Sequence, residues 1–275
     1  MPAPAYIGRL APSPTGLLHL GHARTFFIAW ERAQAANGTL WLRDEDLDPQ
    51  RSKPEFSTAM REDLHWLGID WQQELTQSTR LEAYKQALQQ LLAKGLIYPC
   101  TCSRKDLAQS TQAPHDDDDE PLYNNRCRPS SPAPSTTIQP NTNYRFRVPT
   151  TEAVAFLDAN AGPQTFTPGL EFSDFLVWRK DGLPSYQLAC AVDDAYMQIT
   201  EVVRGRDLLK STARQILLQR ALSLPTPHYF HTDLMRDEQG VRLAKRHDAL
   251  SLRSLREQGL TPAAVRRLWT TPTSH

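Results

Sequence analysis

Between a short apolar segment, Tyr6 to Leu10, and a helical stripe of Leu20, Ala23, Phe26, Phe27 and Trp30, the chain places Ala11 to Gly16, reading APSPTG. Two prolines fix φ and interrupt any continuous strand or helix, and the glycine is open to φ > 0. The order strand, tight turn, helix follows. Asn37 and Gly38 close the helix, Thr39 to Leu42 reads as a second strand, and Pro54 to Leu67 as a second helix ended by Gly68. This β-α-β-α alternation with short connections predicts an α/β fold with a parallel sheet.

Further along, Leu81 to Ala93 reads as an amphipathic helix stopped at Gly95. Periodicity then lapses from Ala108 to Asn143, a stretch holding Pro114, Pro121, Pro129, Pro132, Pro134 and Pro140 and the acidic run Asp116 to Glu120. It is too long for an ordinary loop and reads as an insertion, held by something other than a hydrophobic core or partly disordered. The acidic run reads as a solvated loop that would repel an RNA backbone. Order resumes with a strand at Tyr144 to Val148. Phe172 to Val177 and Gln187 to Val192 are apolar stretches, Ile199 to Val203 is another strand, and Leu208 to Ser223 is a helix. A tail from Leu252 to Trp269 keeps helical spacing, broken at Gly259 and Pro262.

Composition narrows the function classes. The chain has 275 residues, 40% hydrophobic and 23% charged, with 31 basic and 31 acidic side chains cancelling. It carries enough apolar residues for a sizeable core, and the balance excludes a histone-like mode of nucleic-acid binding while allowing a local basic patch. No run approaches the roughly 18 apolar residues of a membrane span, and the N-terminus lacks the layout of a signal peptide. A cytoplasmic, monomeric protein without a membrane partner is expected.

Two local clusters carry chemistry. His19, Leu20, Gly21 and His22 stand at the start of the first helix, behind the proline turn. A helix N-terminus presents unpaired N–H groups and partial positive charge, so it suits phosphate. The two histidines lie three apart on one face, and Gly21 lets a flat group approach the backbone between them. Downstream, Arg242 to His247 reads RLAKRH, a basic segment after Gly240 able to neutralise a departing pyrophosphate. Of the four cysteines, Cys190 sits in an apolar stretch and reads as a buried structural thiol. Cys100, Cys102 and Cys127 can supply three thiolates to a tetrahedral structural zinc, whose binding would help fold the insertion. By ligand chemistry alone His115 completes a Cys3His set.

The histidine and basic clusters together resemble the paired HIGH and KMSKS signatures of class I aminoacyl-tRNA synthetases. Arg9 to Gly16 (RLAPSPTG), Leu42 to Asp48 (LRDEDLD), Val192 to Asp194 (VDD) and Glu201 to Asp207 (EVVRGRD) resemble the glutamyl branch of that class, and the likeness runs from about Tyr6 to Trp269. Cys100, Cys102, Tyr123 and Cys127 resemble the zinc site of a truncated relative, the glutamyl-Q tRNA(Asp) synthetases. After Lys245 the sequence runs only to His275, less than the roughly 50 residues of a small domain, so no anticodon-binding domain is expected there.

The resemblance implies a Rossmann-type catalytic domain in two parts, 1–99 and 166–247, a zinc-bearing insertion at 100–165 and a short helical tail at 248–275. It implies ATP-dependent activation of L-glutamate to glutamyl-adenylate and transfer to queuosine in the anticodon of tRNA(Asp), with one structural Zn²⁺ and with Mg²⁺ accompanying ATP. It places His19, His22 and Lys245 in catalysis, His19, Gly21, His22, Arg242 and Lys245 around ATP, and Arg9, Ser13, Glu45, Tyr186 and Arg204 around glutamate. It supplies Tyr123 as fourth zinc ligand. Asp44, Asp46, Asp48, Asp193 and Asp194 read as caps or arginine partners rather than metal ligands. The basic segment departs from the family pattern: Arg242 stands for the first lysine, and Ala244 and Arg246 replace the two serines.

Overall fold

A computed structural model describes residues 5–102, 122–235 and 251–270. The acidic run, His115 and the basic segment with Arg242, Ala244, Lys245 and Arg246 lie outside them. The chain divides into two compact units, one from Met1–Thr79, Ile199–Arg206 and Tyr229–His275, the other from Arg80–Gln198 and Asp207–His228.

The first unit is built on a parallel sheet. Strand β1 (Ile7–Leu10) pairs with β2 (Thr39–Asp44), which pairs with β3 (Gln73–Thr76). Between them run α1 (Leu20–Ala35) and α2 (Pro54–Trp66). Register starts at Gly38: a Cβ there would lie 2.5 Å from the Tyr6 carbonyl oxygen, which accepts from Thr39 N at 2.9 Å and opens the β1–β2 ladder. Only glycine permits that approach. Leu10, Leu40 and Leu42 from the sheet, Ala23, Phe26 and Phe27 from α1, and Met60 and Leu64 from α2 bury into one core.

Strand β9 (Glu201–Gly205) packs beside β1, where Thr200 N donates to the Ile7 carbonyl at 2.8 Å, and β10 (His228–Thr232) is its hydrogen-bonded neighbour. The tail forms α6 (Leu252–Glu257) and α7 (Pro262–Thr270), broken at Gly259 and Pro262 as the spacing predicts, and these pack on α2 and α1.

The second unit holds α3 (Leu81–Ala93), an antiparallel sheet of β4 (Ile97–Cys100), β5 (Asn143–Phe146) and β8 (Phe175–Trp178), and a hairpin of β6 (Val154–Asp158) and β7 (Gly162–Phe166). Helices α4 (Tyr186–Tyr196) and α5 (Leu209–Leu222) pack on each other. Gln187 to Val192, an apolar stretch beside two strand segments, is therefore helix. Ser185 caps it, accepting from Leu188 N, and Leu188, Ala189, Cys190 and Ala191 are all buried. A full turn of consecutive buried residues, Gln187 to Ala191, shows no amphipathic period, so the short apolar run looks like a core strand. The described part of the proline-rich stretch is irregular, and Pro132 and Pro134 pack against Gly95 at the end of α3.

Asp63 on α2 is fully buried, and neither carboxylate oxygen accepts a hydrogen bond; an ion pair with Arg256 of α6 spans 3.7 Å. Burial, incompletely offset by Arg256 and Arg253 and reinforced by Glu62, raises its pKa from 3.8 to about 6. The folded chain thus holds this proton more tightly than the unfolded chain. The group's contribution to stability is complete below the unfolded value and is lost as pH rises through about 6. Asp63→Asn should therefore gain stability over the parent more at about pH 7.5 than at about pH 5. Urea unfolding at both pH values checks this, and equal shifts at the two would refute it.

Candidate active site

The proline turn delivers α1 with its first turn open at the carboxyl end of β1, where open α/β sheets bind ligands. His19 is the N-cap, and its Nδ1 accepts from Gly21 N at 3.1 Å. An accepting Nδ1 carries no proton, so in the neutral ring the hydrogen sits on Nε2, a donor for an anion. The His19 and His22 rings stack with centroids 3.7 Å apart. Gly21 has a local purpose as well, since a Cβ there would lie 3.1 Å from the His19 ring. Ser251, the first described residue after the basic segment, forms an antiparallel bridge with His19, and Leu252 N donates to the Leu18 carbonyl at 2.8 Å. The chain leaving the basic segment is thereby fixed to the histidine turn.

Two of the expected glutamate residues meet directly. Ser13 Oγ donates to Glu45 Oε2 at 3.3 Å, and the fully buried Arg43 donates to Glu45 Oε1 from Nη2 at 2.9 Å and from Nε at 3.2 Å. Arg9 reaches β9, where its Nη1 donates to the carbonyl of Val203 at 2.8 Å, and Arg204 is the next residue of that strand. Both arginines are buried. Arg204 Nε in turn donates to His231 Nε2 at 3.1 Å. Tyr186 belongs to the second unit, at the start of α4, and is partly exposed. Lys245 and Arg242 lie outside the described residues.

The nearby acids have structural partners. Asp44 pairs with Arg61 at 3.1 Å, and burial raises its pKa in spite of hydrogen bonds from Ser57 and Arg61. Asp46 accepts from the backbone and hydroxyl of Ser78, and Asp48 accepts from Gln50 N; within the second unit, Asp193 accepts from Arg80 and Tyr84. Sequence reasoning passed over Arg43, His231 and Ser251. Arg43 had a signal, a basic residue inside the acidic run LRDEDLD; the other two had none.

The second unit carries a cysteine cluster. The ligand atoms of Cys100, Cys102 and Cys127 all lie within 4.8 Å of one another and could hold a metal ion. The Cys102 and Cys127 sulfurs are 3.6 Å apart, and the Tyr123 hydroxyl lies 3.7 Å from both Cys100 and Cys102 sulfurs. That hydroxyl also accepts from Cys127 N at 2.7 Å. Arg145 donates from Nε to the Cys100 sulfur at 3.4 Å and lies over the Tyr123 ring. Burial raises the Tyr123 phenol and the Cys102 thiol. It acts the same way on Cys127, but hydrogen bonding from Tyr123, Thr101 and Cys102 outweighs it and brings that thiol down to about 6. Thiolate character is what a metal site requires.

The first unit thus combines a parallel α/β sheet with an imidazole pair at the start of α1 and buried arginines on β1, β2 and β9. The chain matches the family of tRNA synthetases class I (E and Q), catalytic domain, over residues 7–271 and belongs to it, a family of ligases. The glutamyl-Q tRNA(Asp) synthetase of Symbiobacterium thermophilum is 45% identical, over 94% of this chain and 83% of that protein. A glutamate–tRNA ligase of Aquifex aeolicus is 39% identical, over 94% of this chain and 55% of its own. The crystal structure of a glutamate tRNA ligase from Elizabethkingia meningosepticum in complex with its amino acid is similar with a TM-score of 0.74 at 26% identity, over 94% of this chain. This chain spans about half, 54%, of that ligase.

If the cysteine cluster holds metal, Cys102→Ser should lose it, whereas Cys190→Ser, altering a thiol inside α4, should keep it. Elemental analysis of the purified variants decides, and equal metal content in both would remove the assignment.

Proposed function

We propose that this protein activates L-glutamate with ATP and transfers the glutamyl group to queuosine in the anticodon of tRNA(Asp). The observation that carries the first half is the pairing of a phosphate-suited helix start, His19 and His22, with two buried arginines, Arg9 and Arg204, in the same unit. A dicarboxylate amino acid calls for buried guanidinium groups, and a polyphosphate calls for donors at a helix N-terminus. The second half rests on the relatives named glutamyl-Q tRNA(Asp) synthetase, which match most of this chain.

In the activation step, an α-carboxylate oxygen of glutamate bonds to the α-phosphorus of ATP, the bond from that phosphorus to its bridging oxygen breaks, and pyrophosphate leaves. His19 donates from Nε2 to a phosphate oxygen as charge builds there, with His22 beside it, and Gly21 N–H remains committed to the cap. Lys245 and Arg242 neutralise the departing pyrophosphate. Mg²⁺ accompanying the nucleotide supplies further charge neutralisation. Arg9 and Arg204 hold carboxylates, and Glu45, set by Ser13 and Arg43, faces the ammonium. In the transfer step a queuosine ring hydroxyl attacks the glutamyl carbonyl carbon, and AMP leaves. No protein nucleophile is needed.

For the cysteine cluster we favour a structural zinc on Cys100, Cys102, Tyr123 and Cys127. Zinc bonds of about 2.3 Å to sulfur and 2.0 Å to oxygen set tetrahedral edges of about 3.8 Å between sulfurs and about 3.5 Å from sulfur to oxygen. The spacings of 3.6 Å and 3.7 Å fit those edges. The four donors would tie β4 to the stretch around Tyr123.

Radiolabelled glutamate, ATP and tRNA(Asp) with and without queuosine test the reading. After digestion to nucleosides, label is expected on the queuosine nucleoside alone. Label on the terminal adenosine of a tRNA would instead make the chain a 3′-end charging enzyme. His19→Ala should cut glutamate-dependent ATP–pyrophosphate exchange by roughly 100-fold or more. Near-parent exchange would remove His19 from the phosphate site.

A further inference from the structure

Strand β10 sets Tyr229 and His231 two residues apart, hence on one face, and both are buried, His231 completely. Their rings lie 6.1 Å apart at 23°. Neighbouring β9 carries Arg204, and β10 grips this arginine at three points. His231 Nε2 accepts from Arg204 Nε at 3.1 Å, the guanidinium stands 5.8 Å over the Tyr229 ring, and the Arg204 carbonyl accepts from Thr232 Oγ1 at 3.3 Å.

We propose that His231 is the positioning residue that aims Arg204 at the glutamate substrate; the proposal rests on Arg204 belonging to the amino-acid site. A planar guanidinium bonded at Nε has its plane fixed, and its edge of two terminal nitrogens then points away from the imidazole, the edge that grips a carboxylate in two-point fashion. The accepting Nε2 is unprotonated, so the imidazole bonded there is neutral. A carboxylate in this place would also orient the arginine, but its negative charge would oppose the substrate's own carboxylate. A neutral acceptor orients without that opposition. Position 231 is thus suited to histidine or glutamine, whose terminal amide oxygen reaches about as far as Nε2, and unsuited to an acid or to an apolar ring.

The test is glutamate-dependent ATP–pyrophosphate exchange on the full chain, with KM measured separately for glutamate and ATP. His231→Phe keeps the ring and loses the acceptor. A glutamate KM raised roughly tenfold or more is expected, with the ATP KM near that of the parent. His231→Gln should restore most of the loss, which a purely space-filling role would not produce. If His231→Phe does not fold, as judged by thermal unfolding, His231→Leu is the second acceptor-free variant. Arg204→Lys is the companion: it should raise the glutamate KM at least as much. A raised KM in Arg204→Lys with parent values in folded His231→Phe would overturn the positioning role alone. An unchanged glutamate KM in Arg204→Lys would overturn the placing of Arg204 and the proposal with it.

Discussion

Helix α1 begins on a histidine whose own ring nitrogen caps it, and the arrangement of the imidazole pair depends on that bond. Asp, Asn, Ser and Thr are the usual caps because a short oxygen reaches the open N–H groups. Here His19 Nδ1 takes that place on Gly21 N. The ring stands close over position 21, where a Cβ would lie 3.1 Å from it and push it aside by a few tenths of an ångström. One hydrogen bond thus satisfies an orphan donor of the helix and selects the tautomer in which Nε2 carries the hydrogen. His22 stacks on the same ring, and Ser251 is bridged to the same residue's backbone. In the proposed reaction the capping group and the group that meets phosphate are one side chain.

The remaining polar residues of this unit show a second economy. Arg9, Arg43, Glu45, Arg204 and His231 are all buried, and desolvating such groups costs several kcal/mol each in the absence of partners. A buried pair such as Arg43 with Glu45 is weak as a source of stability, because the attraction between its members does little more than repay their dehydration. Its effect here is geometric. Arg43 occupies one oxygen of Glu45 and Ser13 the other, so the carboxylate has one orientation. Arg9 is fixed by a backbone carbonyl and Arg204 by a neutral ring, neither of which cancels a positive charge. Each of these contacts fixes the orientation of a charged group, which is what recognition of a charged substrate demands.

What could be read in the sequence follows the range of the forces involved. β1, β2, α1, α2 and α3 were legible because their ends are punctuated locally, by APSPTG, by Asn37 and Gly38, and by Gly68 and Gly95. The break in the tail was legible for the same reason. The helix at Gln187 to Val192 was not, since unbroken burial from Gln187 to Ala191 erases the period. The β6–β7 hairpin turns on Asp158, whose side chain accepts from Asn160 and Ala161, a weak local signal within a stretch lacking apolar alternation. Within the site, the histidine pair and the cysteine spacing announced themselves. The bond from Arg204 to His231 joins residues 27 positions apart on neighbouring strands, and nothing local marks it.

The cysteine cluster extends the argument to the second unit, where burial again precedes binding. Asp174, itself buried, accepts from the Tyr98 hydroxyl at 2.5 Å, from Arg128 Nη1 at 2.6 Å and from Val148 N at 2.9 Å, while its carbonyl accepts from Arg145 Nη1 at 2.8 Å. Arg145 continues to the Cys100 sulfur and over the Tyr123 ring, and Tyr123 N donates to Ser173 Oγ at 2.6 Å. Cys100 and Tyr123 are therefore oriented by partners outside the cluster, in the manner of the outer shell that tunes metal sites. A set of thiols held only by the metal would scatter without it, whereas here the ring of Tyr123 and the sulfur of Cys100 are steadied by one arginine rooted in Asp174. Were an ion to bind the cluster, part of the ordering entropy of the site would already be met by this hydrogen-bonded hub.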